Sequence, residues 1–232
     1  MKLLNPARLA ICTLIVCVLL YFFPLFRISK LGSSPTSALD SKARSVLDTA
    51  SPKKLSSPDV TTYIEKLWTD RLPEAAGNAA SVDEVLAMAA ADPARARQEY
   101  GREVGLGGPT FFFLRGRGRI ESVDQDECLV IIEGQSQPIV LEIGILLGNA
   151  VRDATGLVNV GEFPNSQEFN RLSAELNERC ESQVIRPVRD FLVVGTHVKF
   201  VGCGEVRNNK DFDPLKLIPV QLTVLNPAEQ IE

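Results

Sequence analysis

FFFLRGRGRIESVD, residues 111–124, sets three arginines and two glycines in alternation behind three phenylalanines, and the fold turns on how this stretch is read. A phosphate loop of the P-loop type requires G-x-x-x-x-G-K-S/T between a strand and a helix, whereas this stretch runs on in strand-like alternation. Successive side chains of an extended strand point to opposite faces. Phe112, Leu114, Gly116, Gly118 and Ile120 therefore share one face, and Arg115, Arg117 and Arg119 share the other. The glycines stand on the apolar face. A glycine inside a strand marks a bend or the close approach of another backbone, as needed where the long first strand of a small barrel curls. The arginines form an external ladder, with roughly 7 Å between neighbours.

Downstream, strands are expected at residues 128–133 and 138–143, joined by the turn GQSQ, with Glu127, Glu133 and Glu142 available to pair with the arginines. Residues 144–163 read as loop or short strand. A helix is expected from about residue 166 to 186, where Phe169, Leu172, Leu176 and Cys180 form one stripe and Pro187 helps to end it. Two last strands are expected at residues 197–206 and 215–224. The order strand, strand, strand, helix, strand, strand is that of a five-stranded Greek-key barrel of the oligonucleotide/oligosaccharide-binding (OB) type. This OB-like domain spans residues 107–228.

Upstream, GREVGLGGP at residues 101–109 is a glycine-rich joint. Before it, residues 57–106 read as a small helical domain, which makes the fold class α+β. Ser57 caps its first helix and Pro58 takes the first helical position; Val60, Tyr63, Ile64 and Leu67 recur at helical spacing, and the helix should end before Pro73. Ser81 with Glu84 makes a capping box for the next helix, and Asp92-Pro93 caps a further turn or two ending near Tyr100. Residues 27–56, rich in serine and proline, read as a tether. Residues 9–26 carry no charge and as a helix span about 27 Å, close to a bilayer core. With Lys2 and Arg8 before them and no prompt small-residue cleavage site, they read as an uncleaved signal anchor rather than a signal peptide. Residues 1–8 are then cytoplasmic, the cytoplasmic (inner) membrane is crossed once, and residues 27–232 lie in a periplasm-like space. Val16 before Cys17 and Ile11 before Cys12 do not suit lipid attachment at either cysteine.

The first thirty residues hold four of the 25 basic residues and no acid, which leaves 21 basic against 29 acidic side chains and a balance of −8 beyond them. That balance argues against nucleic acid as a partner, because such docking needs a cationic surface. Phe111 and Phe113 beside the arginines are the one feature that would suit stacked bases. Cys128, Cys180 and Cys203 lack metal-ligand spacing and allow at most one disulfide; small buried core residues are the better expectation. His197 is the only histidine, which excludes a two-histidine metal site, and it reads as an exposed strand residue beside Lys199. The pairs Asp124/Asp126 and Asp211/Asp213 read as turn residues. No catalytic constellation, metal site or cofactor motif emerges, so no enzyme is expected.

GNAVRDATG, residues 148–156, with FPNSQEF, residues 163–169, is the most distinctive part of the chain. Arg152 beside Asp153 could orient a polyol or carboxylate, since guanidinium and carboxylate groups make directional hydrogen bonds. The favoured alternative is an internal ion pair that pins the loop. Asn165 reads first as a helix N-cap, and Gln167 either meets a ligand or holds the loop. Arg115 and Arg117 remain candidates for an anion or oligosaccharide surface, although a bent strand with paired arginines is the better expectation.

YGREVGLGGPTFFFLRGRGRIESVD, GNAVRDATG and FPNSQEFNRLSAELNERC together resemble the predicted periplasmic lipoproteins catalogued as domain-of-unknown-function family 2291, over about residues 57–225. The most specific positions are Gly148, Ala150, Arg152, Asp153, Ala154, Phe163, Asn165, Gln167 and Asn177. The resemblance implies a helical domain followed by an OB-like barrel and a frequent genomic neighbourhood with sugar ABC transporters, with no enzymatic activity established. The chain departs from the family where a spanning helix replaces the lipid and in a longer tether. Two functional expectations follow. One is a non-enzymatic accessory or scaffold for a sugar ABC-type uptake system, with transporter subunits as partners; the other is a carbohydrate or polyol binding module with its site at the Arg152-Asp153 loop.

Overall fold

The computed structural model describes residues 55–225, apart from residues 106 and 136. Thr110–Val123 is one strand of 14 residues, β1. Phe112, Leu114 and Ile120 are buried along it while Arg115 and Arg119 are exposed, as alternation requires. Phe111 is also buried and Phe113 half-buried, so neither is an open stacking platform. The glycines sit where other groups come closest. A Cβ on Gly116 would lie 2.5 Å from Val82 Cγ1 and 2.7 Å from the Phe200 ring, and one on Gly118 would lie 2.3 Å from the carbonyl oxygen of Ile131. That last neighbour is backbone of the paired strand, so the crossing exists only because the residue has no side chain.

Four further strands follow: β2 (Glu127–Ile132), β3 (Pro138–Glu142), β4 (His197–Val206) and β5 (Leu215–Val224). β1 pairs antiparallel with β2, with a bulge between Ile120 and Ser122, and β2 pairs antiparallel with β3. β3 lies parallel to β5, which pairs antiparallel with β4. β4 then returns to β1 antiparallel, from Thr110 opposite Val206 to Arg119 opposite His197. The pairings thus run in a closed circuit. Two-residue strands at Ala80–Ser81 and Arg102–Glu103 join β1 and bring the sheet to seven strands among the described residues. The expected glycine-rich joint is therefore itself structured: it folds back so that Arg102 pairs with Phe111.

Helix α1 (Ser57–Lys66) begins one residue earlier than predicted, at Ser57 rather than Pro58, because Ser56 is the N-cap and Asp59 accepts from both its backbone N–H (3.1 Å) and its Oγ (2.6 Å). Nor does the helix stop before Pro73. A π-turn at Leu67–Arg71 widens the coil, the Leu72 N–H donates to Leu67 O, and Pro73 falls in the first turn of the continuing helix α2 (Leu72–Ala76), where a proline needs no N–H partner. Helix α3 (Val82–Ala91) has Ser81 as N-cap without the expected capping box, since the Ser81 Oγ donates to Asp83 and its backbone is paired with β1. Asp92 caps α4 (Pro93–Tyr100) by accepting from the N–H groups of Ala94 and Arg95, both at 3.1 Å. Helices α5 (Ala150–Ala154) and α6 (Ser166–Arg179) follow β3, and α6 runs on through a π-turn at Cys180–Ile185.

The described residues form one compact unit, and one apolar core unites Val60, Leu67, Val82 and Leu86 of the helical segment with Phe112, Ile120, Phe200 and Leu217 of the strands and Leu172 and Leu176 of α6. Burying each such side chain contributes about 1.5–3 kcal/mol, so the helices of residues 57–100 and the sheet stabilise one another. The anchor expected at residues 9–26, and the tether as far as residue 54, lie outside the described residues. Among the described residues no helix is long and apolar enough to cross a membrane.

Candidate functional site

Helix α5 carries the distinctive loop into the interior. Gly148 turns the chain with φ +88°, and Ala150, Val151 and Ala154 are buried where α5 packs on β4 and β1. A short helix so enclosed draws its polar residues in with it. Arg152 and Asp153 are 6% and 8% exposed, and burial of both charges is tolerable only if they satisfy each other. They do so through two parallel contacts, Arg152 Nε to Asp153 Oδ1 and Nη2 to Oδ2, each 2.8 Å. The guanidinium carbon also lies 3.9 Å from the ring centroid of Phe169 on α6. Phe169 meets Phe163 edge-on at 5.3 Å, and Phe163 meets Tyr63 of α1 at 5.4 Å.

The loop is clamped from both sides. Asn177 of α6 donates to Gly148 O at 3.2 Å, and the Leu146 N–H donates to Glu181 at 2.8 Å. At the far end Arg71 donates to Leu157 O at 2.7 Å, and the Tyr63 hydroxyl reaches the same oxygen at 3.3 Å. Desolvation raises the Tyr63 hydroxyl pKa above its ordinary value, partly offset by Arg71. Among the described residues one nitrogen of the pair, Arg152 Nη1, is buried without a hydrogen-bond partner.

The four residues singled out around this loop do not converge. Asn165 is the exposed N-cap of α6 and accepts from the Glu168 N–H at 2.8 Å. Gln167 is exposed on the first turn of the same helix. Arg152 is engaged with Asp153 and Phe169, which makes the pair a fastener. Asp153 alone of the four also lines a cavity of about 430 Å³, together with Arg102, Val104, Asn159, Val160 and Phe169. Arg102 and Asn159 went unmarked in the sequence because nothing local shows that the glycine-rich joint folds back beside this loop. Arg102 does stand within the distinctive motif YGREVGLGGP.

The arginines of β1 form a second polar region. Arg115 and Arg117 line a cavity of about 650 Å³ with Ser81, Asp83, Glu133 and Lys199. Arg115 donates to Gly77 O at 3.3 Å. Arg117 stands opposite Lys199 on β4, and Arg119 opposite His197. Of the three expected acidic partners, Glu133 alone lines this cavity. Glu127 and Glu142 are instead placed opposite each other on β2 and β3, a like-charge pair that calls for a cation, and Glu127 accepts from Lys216 of β5 at 2.5 Å. Burial raises the Glu142 carboxyl above its ordinary value, Lys216 opposes the shift, and Glu127 and Glu205 add to it. His197 is half-buried rather than exposed.

The remaining candidates are structural. Cys128, Cys180 and Cys203 are free and buried; burial pushes the thiols of Cys128 and Cys180 up to about 11 and about 12, and that of Cys203 well above its ordinary value. Such thiols carry too little thiolate to act as nucleophiles at neutral pH. Asp124 accepts from the N–H groups of Asp126 and Glu127, and these two bonds hold its carboxyl below the usual value. Asp211 is a turn residue as well, accepting from the N–H groups of Arg207 (2.7 Å) and Asn208 (3.0 Å).

A family model described as predicted periplasmic lipoprotein (DUF2291) matches residues 16–223. Among solved structures, the chain is similar to an OB-fold protein from Thermotoga maritima MSB8, with 26% identity and a TM-score of 0.64, over 72% of this chain and 98% of that one. No curated protein matches.

Proposed function

Because the chain belongs to the DUF2291 family of predicted periplasmic lipoproteins, we propose that it works outside the cytoplasm as a non-enzymatic accessory protein, docking on membrane components of a sugar ABC-type uptake system. Its scaffold in this role is an OB-type barrel, held at the cytoplasmic membrane by residues 9–26. One observation carries the docking role. Of the seven large apolar side chains exposed among the described residues, five stand on two loops: Ile145 and Leu147 on one, Phe191, Val193 and Val194 on the other, all between 55% and 82% exposed. Arg189, just before the second loop, ties it to the first by donating to Ile143 O at 2.6 Å and also to Gln125 O.

Single exposed apolar residues are ordinary on a soluble surface, but clusters of them mark interaction sites. Arg152 of the distinctive loop, by contrast, is spent on holding the loop. The test is in-cell crosslinking of the full-length protein in its native membrane, with mass spectrometry of what is captured. Permease or solute-binding subunits should be recovered with the parent protein and lost with an Ile145→Ser/Phe191→Ser variant of unchanged melting temperature. Equal recovery with that variant, or no transporter subunit at all, would overturn the proposal.

A further inference from the structure

We infer that the cavity beside the Arg152–Asp153 pair is a binding site for a small neutral polyhydroxylated molecule of about monosaccharide size. At about 430 Å³ it falls within the range of about 300–1,000 Å³ typical of small-molecule pockets, and it lies on different loops from the exposed apolar patch.

The polar groups select the ligand. Each Asp153 oxygen accepts one Arg152 N–H at 2.8 Å, which leaves further lone pairs on a carboxylate that is already oriented. Asn159 accepts from the Gly161 N–H at 2.9 Å through Oδ1, so its NH₂ group is the end left to donate to a ligand. Arg102 reaches the cavity beside Gly156: its guanidinium Nη1 lies 2.3 Å from where a Cβ on Gly156 would be, and Gly156 has φ +70°. The cavity thus joins an oriented acceptor to two donors. A diol can donate to Asp153 and accept from Arg102 or Asn159 at once, whereas a carboxylate has no donor for the Asp153 oxygens and an ammonium no acceptor for the two donors.

The apolar lining completes the match. Val104 and Val160, 37% and 62% exposed, stand with Phe169 around these polar groups, offering the apolar surface that the C–H faces of a polyol ring need. Val104 and Val160 are also the two exposed large apolar residues that the patch at residues 145–147 and 191–194 leaves out.

The test uses purified full-length protein in detergent and titration calorimetry against neutral pentoses, hexoses and linear polyols, with gluconate and glucosamine as charged controls. At least one neutral polyol should bind saturably, and Arg102→Ala, whose side chain is exposed, should weaken binding about tenfold, the equivalent of one lost hydrogen bond. Val160→Trp should block the cavity, while the Ile145→Ser/Phe191→Ser variant should bind like the parent. The inference is overturned if no neutral polyol binds at up to about 10 mM, tenfold beyond a millimolar affinity, if only the charged controls bind, or if binding survives both cavity variants unchanged.

Discussion

Replacing Arg152 by alanine should cost stability on a scale that separates a fastener from a ligand contact. Both side chains of the pair are under a tenth exposed, at 7% and 9%. Removing the guanidinium deletes two charge-assisted contacts of 2.8 Å and leaves a carboxylate buried without its counter-charge, an effect of about 3–5 kcal/mol. The lost contact with the Phe169 ring, at 3.9 Å, belongs to the same change and sets the upper part of that range. A domain of this size loses roughly 2–4 °C of melting temperature per kcal/mol, so Arg152→Ala should melt about 6–20 °C below the parent. The double replacement Arg152→Met/Asp153→Leu should recover most of the loss, because a buried pair exchanged for apolar groups is often close to neutral. Urea unfolding of the parent, Arg152→Met, Asp153→Leu and the double variant closes the cycle. A loss below about 1 kcal/mol in Arg152→Ala, or a double variant as damaged as the sum of the singles, would refute the argument.

Two further outcomes are expected. Gly118→Ala should destabilise the protein by about 2–3 kcal/mol, since its Cβ would stand 2.3 Å from Ile131 O and 2.7 Å from Val130 Cγ1; unfolding within about 0.5 kcal/mol of the parent would show that the crossing strand can retreat. Glu142 supplies a pH dependence. Its folded pKa is raised above the ordinary 4.5, chiefly by burial, so between that value and the folded pKa the native state holds more protons than the unfolded one and stability falls as pH rises. Urea titrations at stepped pH should show this decline above 4.5 in the parent and a flatter curve in Glu142→Gln, which is more stable than the parent at pH 7; an equal slope in the two proteins would contradict the assignment.

Much of the scaffold was legible in the residues themselves. Alternation in residues 111–120 set the two faces of β1 and marked its glycines as close approaches, since side-chain period follows from backbone geometry alone. Caps at Asp92 and Asn165 were readable because their partners lie two and three residues away. The misplaced signals were those in which a local motif competed with tertiary contacts. Pro73 stops an isolated α-helix, but the π-turn before it restores a tolerated position. Ser81 has the composition of a capping box, but strand pairing with β1 and a nearer acceptor in Asp83 claim it.

The candidate site divides along the same line. Arg152 beside Asp153 is a sequence fact, and with it the expectation of an internal pair, because adjacent opposite charges outside a long apolar run either bind each other or bind something else. Local pattern likewise determined five strands, their order around the long helix, and the apolar stripe of α6. Which strand closes on which, and which charge answers which, depended on partners far apart in the chain. Lys216 takes Glu127 from 89 residues away, Arg71 clamps Leu157 from 86, and Arg102 reaches the Asp153 cavity only because a glycine-rich joint folds back on β1. Backbone geometry repeats every two or three to four residues and is written in short windows; contacts of this length are decided by the packing of the whole core, which no window contains.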